Sequence, residues 1–167
     1  MDASAGQEFC GGTVPGQACE AAAACIDEGG HCTIPAEFTS IAGWAFDGLD
    51  TLTSVTIHSG VTSIGVFAFR GTGLTSITLP DGVTEVPEQA FFQATALASV
   101  AFGSGITTIG PRAFSQTSLT SVVLPDSITA VGEYAFYLTS LTSVVLPDSI
   151  TTVGYGAFRE ISELTSA

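Results

Sequence analysis

Residues Leu119–Leu138 read LTSVVLPDSITAVGEYAFYL, and 22 residues further on Leu141–Glu160 read LTSVVLPDSITTVGYGAFRE. A chain that repeats itself in register builds the same local unit twice. Outward from this pair, an Ala-Phe dipeptide recurs at Ala45-Phe46, Ala68-Phe69, Ala90-Phe91, Ala113-Phe114, Ala135-Phe136 and Ala157-Phe158, with Phe-to-Phe steps of 23, 22, 23, 22 and 22 residues. A fixed period in the twenties marks a solenoid, whose coils bury their apolar faces only by stacking.

The spacing inside each unit locates its parts. The opening leucine (Leu52, Leu74, Leu97, Leu119, Leu141) stands nine residues before the next Val or Ile, and seven more lead to Ala. The extra residue of the longer units falls between Phe and the next Leu, so that segment is loop-like. In LTSITLP, Ile77 and Leu79 alternate with Ser76 and Thr78, which is strand spacing. Turn residues follow (PDG, PDS, GSG), then a second short β segment (VTEV, ITTI) and a turn into Ala-Phe. The predicted fold is mainly β: a solenoid of about six 22–23-residue coils with parallel strand ladders.

The first coil lies in GGHCTIPAEFTSIAGWAF, where Phe38 aligns with Val61, Ile34 with Ile57 and Cys32 with the inward Val55 and Ile77. Cys32 is therefore predicted to be buried. Upstream, GQACEAAAACIDEGG combines helix formers with a closing Gly29-Gly30, which predicts a short capping helix. Residues 1–29 form a tail and cap, and residues 30–167 the solenoid. The final ELTSA begins another unit at Leu164. Solenoid ends need covering, so a contact or continuation is expected there.

The 167-residue chain is 46% hydrophobic and 11% charged, which places it far from disorder. Its net charge is −13, with three Arg and no Lys, and such a surface repels nucleic acid and anionic membranes. No apolar run is long enough for a membrane helix, and MDASAGQEF lacks the basic and apolar parts of a signal peptide. Cys10, Cys19, Cys25 and Cys32 cluster early without a C-x-x-C pair, which fits two disulfides and an oxidising compartment better than zinc. Three pairings are open, one of which fastens the cap to Cys32. No nucleophile elbow, phosphate loop or metal spacing occurs, so no catalytic residue, metal or cofactor is assigned.

The repeat L-x-x-[IV]-x-[IL]-P-x-x-[VI]-x-x-[IV]-G-x-x-A-F over about residues 30–167 resembles the BspA-like, or Treponema-pallidum-type, leucine-rich repeats. The resemblance implies a right-handed solenoid with a parallel ladder on one face. It further implies a secreted or cell-surface protein that adheres to matrix or host proteins. Family repeats often carry a Cys shortly after Ala-Phe, where this chain has Thr72, Thr95, Thr117 and Thr139.

Stacking turns repeat columns into surface rows. The strand face carries Ser76, Ser99, Ser121 and Ser143 beside Thr78, Ala101, Val123 and Val145, growing more apolar toward the C-terminal end. Solenoids bind through such extended faces, so this one is the first candidate for a protein partner. A second row is threonine in six coils: Thr39, Thr62, Thr84, Thr107, Thr129 and Thr151. It reads as a structural hydroxyl ladder, or as a flat uncharged face for ice or a glycan. A third reading is a structural subunit of a larger assembly. Arg70 and Arg159, just after Ala-Phe, are expected to face solvent, as are Asp47 and Asp50.

Overall fold

The computed structural model describes residues 7–10 and 20–161. One strand per coil forms the long-strand face: β2 (His31–Thr33), β4 (Ser54–Thr56), β6 (Ser76–Thr78), β8 (Ser99–Ala101), β10 (Ser121–Val123) and β12 (Ser143–Val145). A second row follows each of these: β3 (Phe38–Ile41), β5 (Ser63–Ile64), β7 (Glu85–Val86), β9 (Thr108–Ile109), β11 (Ala130–Val131) and β13 (Thr152–Val153). All pairings are parallel. The long strands pair as β2-β4, β6-β8 and β10-β12, and the short ones as β3-β5 and β7-β9-β11-β13. The expected first coil is present, with Cys32 opposite Val55 and fully buried.

Leucine, valine, isoleucine, alanine and phenylalanine from every coil fill one continuous core. Phe46, Phe69, Phe91, Phe114, Phe136 and Phe158 form a single ring stack, with successive centroids 5.1, 5.3, 5.1, 5.4 and 5.3 Å apart and planes within 8°. Each Phe N–H from Phe46 to Phe136 donates to the carbonyl of the next coil's Ala at 2.8 Å. The small residue thus lets backbones approach while the large one fills the centre.

The Ala-Phe turn needs two left-handed residues per coil, two before and two after Phe. Trp44, Phe67, Gln89, Arg112 and Tyr134 take the first place at φ 53–59°, and Gly156 takes it in the last coil at φ 64°. Gly48, Gly71, Gln93, Gln116, Leu138 and Glu160 take the second. Non-glycine residues here carry about 1 kcal/mol of strain each, held by the inter-coil bonds on either side.

The threonines after Ala-Phe have a specific job. In the short coils, the hydroxyls of buried Thr72, Thr117 and Thr139 donate to the Phe69, Phe114 and Phe136 carbonyls at 2.9, 2.8 and 2.9 Å. In the longer coils a backbone N–H replaces the hydroxyl: Leu49 donates to Phe46 and Ala94 to Phe91. Thr95 is therefore not the equivalent of Thr72. It is exposed, and Ala94 occupies the buried place, because the extra residue tightens the turn.

At the N-terminal end, α1 (Glu20–Cys25) is the expected capping helix, and residues 16–19 of the expected cap lie outside the described residues. Six residues do not hold a helix alone. Ala22 is buried against the first coil, and a Cys25–Cys32 disulfide fastens the lid to β2. Closing a loop this short is worth ~2–3 kcal/mol in a chain-entropy account. Cys10 is disulfide-bonded as well, while Cys19 lies outside the described residues. A strand not foreseen in the tail, β1 (Gln7–Phe9), pairs with β3 and extends the short-strand row beyond the first coil. Leu164 and the expected contact at the C-terminal end lie outside the described residues.

Two exposed carboxylates tie turns together. Asp27 accepts the Gly29 and His31 backbone N–H groups at 2.8 and 2.9 Å. Asp81 accepts the Ser104 N–H and hydroxyl from the next coil at 2.7 and 3.0 Å. The His31 bond, foremost, pulls Asp27 below its ordinary pKa, and the Ser104 backbone bond does the same for Asp81. A depressed carboxylate stabilises the fold above its unfolded pKa and loses that contribution as pH falls through the folded value. Acid titration of stability should accordingly show a smaller loss below about pH 4 in Asp27→Asn/Asp81→Asn than in the parent chain. Equal acid slopes in urea melts would contradict this.

The expectation of solvated Asp47 and outward Arg70 fails. Arg70 Nε and Nη2 grip Asp47 Oδ1 and Oδ2 at 2.6 and 2.7 Å, with the Asp47 side chain 2% exposed. The two share one column in adjacent coils, so the coil stack brings them together. Asp50 is exposed, as expected.

Candidate binding surfaces

On the long-strand face, register places Ser76 opposite Ser99, Thr78 opposite Ala101, Ser121 opposite Ser143 and Val123 opposite Val145. Their inward neighbours Ile77, Val122 and Val144 are buried. Strand alternation therefore turns the candidate row outward. Ser76, Thr78, Ser99, Ala101 and Ser121 are exposed and Ser143 half-buried, while Val123 and Val145 are 75% and 66% exposed. At the other end, His31 occupies the row and bonds to Ser54, Thr33 and Thr56, which makes that end polar.

The apolar gradient is steeper than the strand columns alone convey. Among the described residues, exposed large apolar side chains are Val66 and then Val123, Leu138, Val145, Leu146, Val153 and Tyr155. All but the first belong to the last two coils.

The threonine row also lies on the surface, but four of its six hydroxyls are engaged. Thr62 donates to the Thr39 carbonyl at 3.3 Å, Thr107 to Thr84 at 3.0 Å, Thr129 to Thr107 at 3.2 Å and Thr151 to Thr129 at 3.0 Å. The bond runs to the backbone of the preceding coil rather than from hydroxyl to hydroxyl. The row thus stitches coils together.

A third feature escaped the reading of the strands. On the edge formed by the Ala-Phe turns, Phe92, Arg112, Ser115, Gln116, Tyr134, Tyr137 and Arg159 line a pocket of about 330 Å³. Its members come from the columns beside Ala-Phe, which vary from coil to coil and show no repeated signal. Among the described residues no group of three or more His, Cys, Asp or Glu is placed to hold a metal. No helix there is long and apolar enough to cross a membrane.

Comparison with known proteins agrees with this architecture. A family model described as "BspA type Leucine rich repeat region" matches residues 28–139 and 129–167, in six copies. The structure is similar to the pneumococcal vaccine antigen PcpA, at 26% identity and TM-score 0.65 over 72% of this chain and 31% of that one. It is also similar to the T. pallidum leucine-rich repeat protein, at 26% identity and TM-score 0.58 over 83% of this chain and 57% of that one. A leucine-rich repeat protein of Eubacterium ventriosum shares 28% identity and TM-score 0.58 over 80% of this chain and 43% of its own. The chain thus spans a third to somewhat over half of the structures it resembles. No curated protein matches it.

Proposed function

The chain belongs to the BspA-type leucine-rich repeat family, and from that premise we propose a non-catalytic interaction or adhesion module, secreted or displayed at a cell surface. It binds a protein partner through the C-terminal half of the long-strand face. The observation that carries this reading is the pair Val123 and Val145, adjacent in register, 75% and 66% exposed, and flanked on their strands by Ser121 and Ser143. An apolar centre in a polar rim is the anatomy of a protein contact. The disulfides favour an oxidising location, and likeness to a vaccine antigen fits display to antibodies. A net charge of −13 selects partners with a basic rim.

Biolayer interferometry against a panel of purified matrix and cell-surface proteins tests this. A saturable partner should lose at least about tenfold in affinity to Val123→Lys/Val145→Lys, the effect of removing a central contact. Added salt should slow its association. Unchanged binding by the double variant would remove the strand face from the proposal. The threonine row supports a second reading, an uncharged repeating surface for ice or glycan. It requires thermal hysteresis or glycan capture that Thr84→Glu/Thr107→Glu abolishes while strand-face binding persists.

A further inference from the structure

Two of the chain's three tyrosines and two of its three arginines line the pocket on the Ala-Phe edge, and the third tyrosine packs edge-on against one of them. The Tyr134 ring stands edge-on to both Tyr137 and Tyr155, with centroids 5.5 Å away in each case. The Arg112 guanidinium lies 5.4 Å from the Tyr134 centroid. Arg159 forms an ion pair with Glu160 at 3.4 Å, with both side chains about half exposed, and lies within the field of the three tyrosines. An ion pair that long and that open to water is weak and readily exchanged. Beneath them, Ser115 is 1% exposed, and its Oγ is the one buried side-chain polar atom among the described residues without a hydrogen-bond partner. Buried hydroxyls are nearly always satisfied, so an unpaired one on a residue of the pocket lining is a donor that a change of its rotamer turns toward a ligand.

These groups define a ligand. Two guanidiniums on a protein of charge −13 are a local exception that attracts an anion. The surrounding negative field disfavours polyanions, so the charge is small. Tyrosine faces accept the C–H face of a saturated ring, while Gln116, Ser115 and the phenols pair with hydroxyls. A volume of about 330 Å³ holds one or two monosaccharides rather than a folded partner. We propose that this pocket binds a carboxylate-bearing sugar, a uronic or sialic acid residue of a glycan. The arginines hold the carboxylate and the tyrosines flank the ring. The site is separate from the strand face, and the proposal stands whether or not that face binds protein.

Calorimetric or NMR titration with glucuronic acid, N-acetylneuraminic acid, glucose and acetate tests the proposal. One of the two acid sugars should bind with a Kd of about a millimolar or better, and the one preferred identifies the glycan source. Glucose and acetate should each bind at least about tenfold more weakly, because each lacks half of the recognition. Arg112→Gln and Arg159→Gln should each cost about tenfold, the worth of one charged hydrogen bond. Tyr137→Ala, which removes a half-buried ring from the pocket wall, should cost about fivefold. Val123→Lys/Val145→Lys should bind the sugar as the parent does. Three results would each overturn the proposal: no acid sugar bound at tens of millimolar, acetate binding as well as the sugars, or affinity indifferent to both arginine variants.

Discussion

Phe91→Ala is expected to cost about 4 kcal/mol and to lower the melting temperature by roughly 10–15 °C. Phe91 has no solvent exposure and sits between Phe69 and Phe114, 5.3 and 5.1 Å away and parallel to both within 3°. The backbone beneath it is fixed by inter-coil bonds, so the vacated volume cannot collapse. The loss therefore combines transfer free energy with a residual cavity and two ring contacts. In a solenoid each coil is held by its two neighbours. Phe158, half-buried with a single ring neighbour, should thus lose about half as much when truncated. Urea unfolding of the two variants measures both. A Phe91→Ala cost below about 2 kcal/mol, or an equal cost at Phe158, would mean that the ring stack does not organise the core.

Most of that architecture is legible because the columns facing the core repeat. Inward leucines, the Ala-Phe pair and the strand alternation all recur at the coil period. Cys32 falls into its buried place by alignment alone, and Val123 and Val145 emerge as exposed because the strand period is two. What the repeat hides is whatever differs between coils. The column after Phe reads Asp47, Arg70, Phe92, Ser115, Tyr137 and Arg159. One by one these look like surface residues. Stacked, the first two become an ion pair and the last four become walls of a pocket. The coil step of 23 between Asp47 and Arg70 was the available signal, since opposite charges one coil apart in one column are neighbours. The Thr72 and Ala94 exchange was hidden for another reason: one inserted residue changes which group satisfies the Phe carbonyl, and composition does not register it. Strand β1 was concealed because it lies outside the repeat.

Arg70→Ala should be the most damaging change at a residue outside the apolar core, at about 3 kcal/mol, since it strands the Asp47 carboxylate without its partner. With Asp47 2% exposed and both its oxygens held by Arg70, water cannot replace the two bonds without opening the turn. Arg70 itself, 35% exposed, loses little by solvation, so the penalty falls on the buried acid. It follows that removing the charge along with the arginine should restore most of the loss. Asp47→Asn/Arg70→Gln is expected within about 1 kcal/mol of the parent, whereas Asp47→Asn alone should lie between the two. Arg70→Lys keeps the charge but replaces a two-pronged grip with one, so it should cost about 1–2 kcal/mol. Urea melts of the four variants, with Arg70→Gln as the second single variant, close a double-mutant cycle. A double variant as unstable as Arg70→Ala would show that Arg70 acts by packing over Phe67, which its guanidinium also covers at 5.4 Å, rather than by neutralising Asp47.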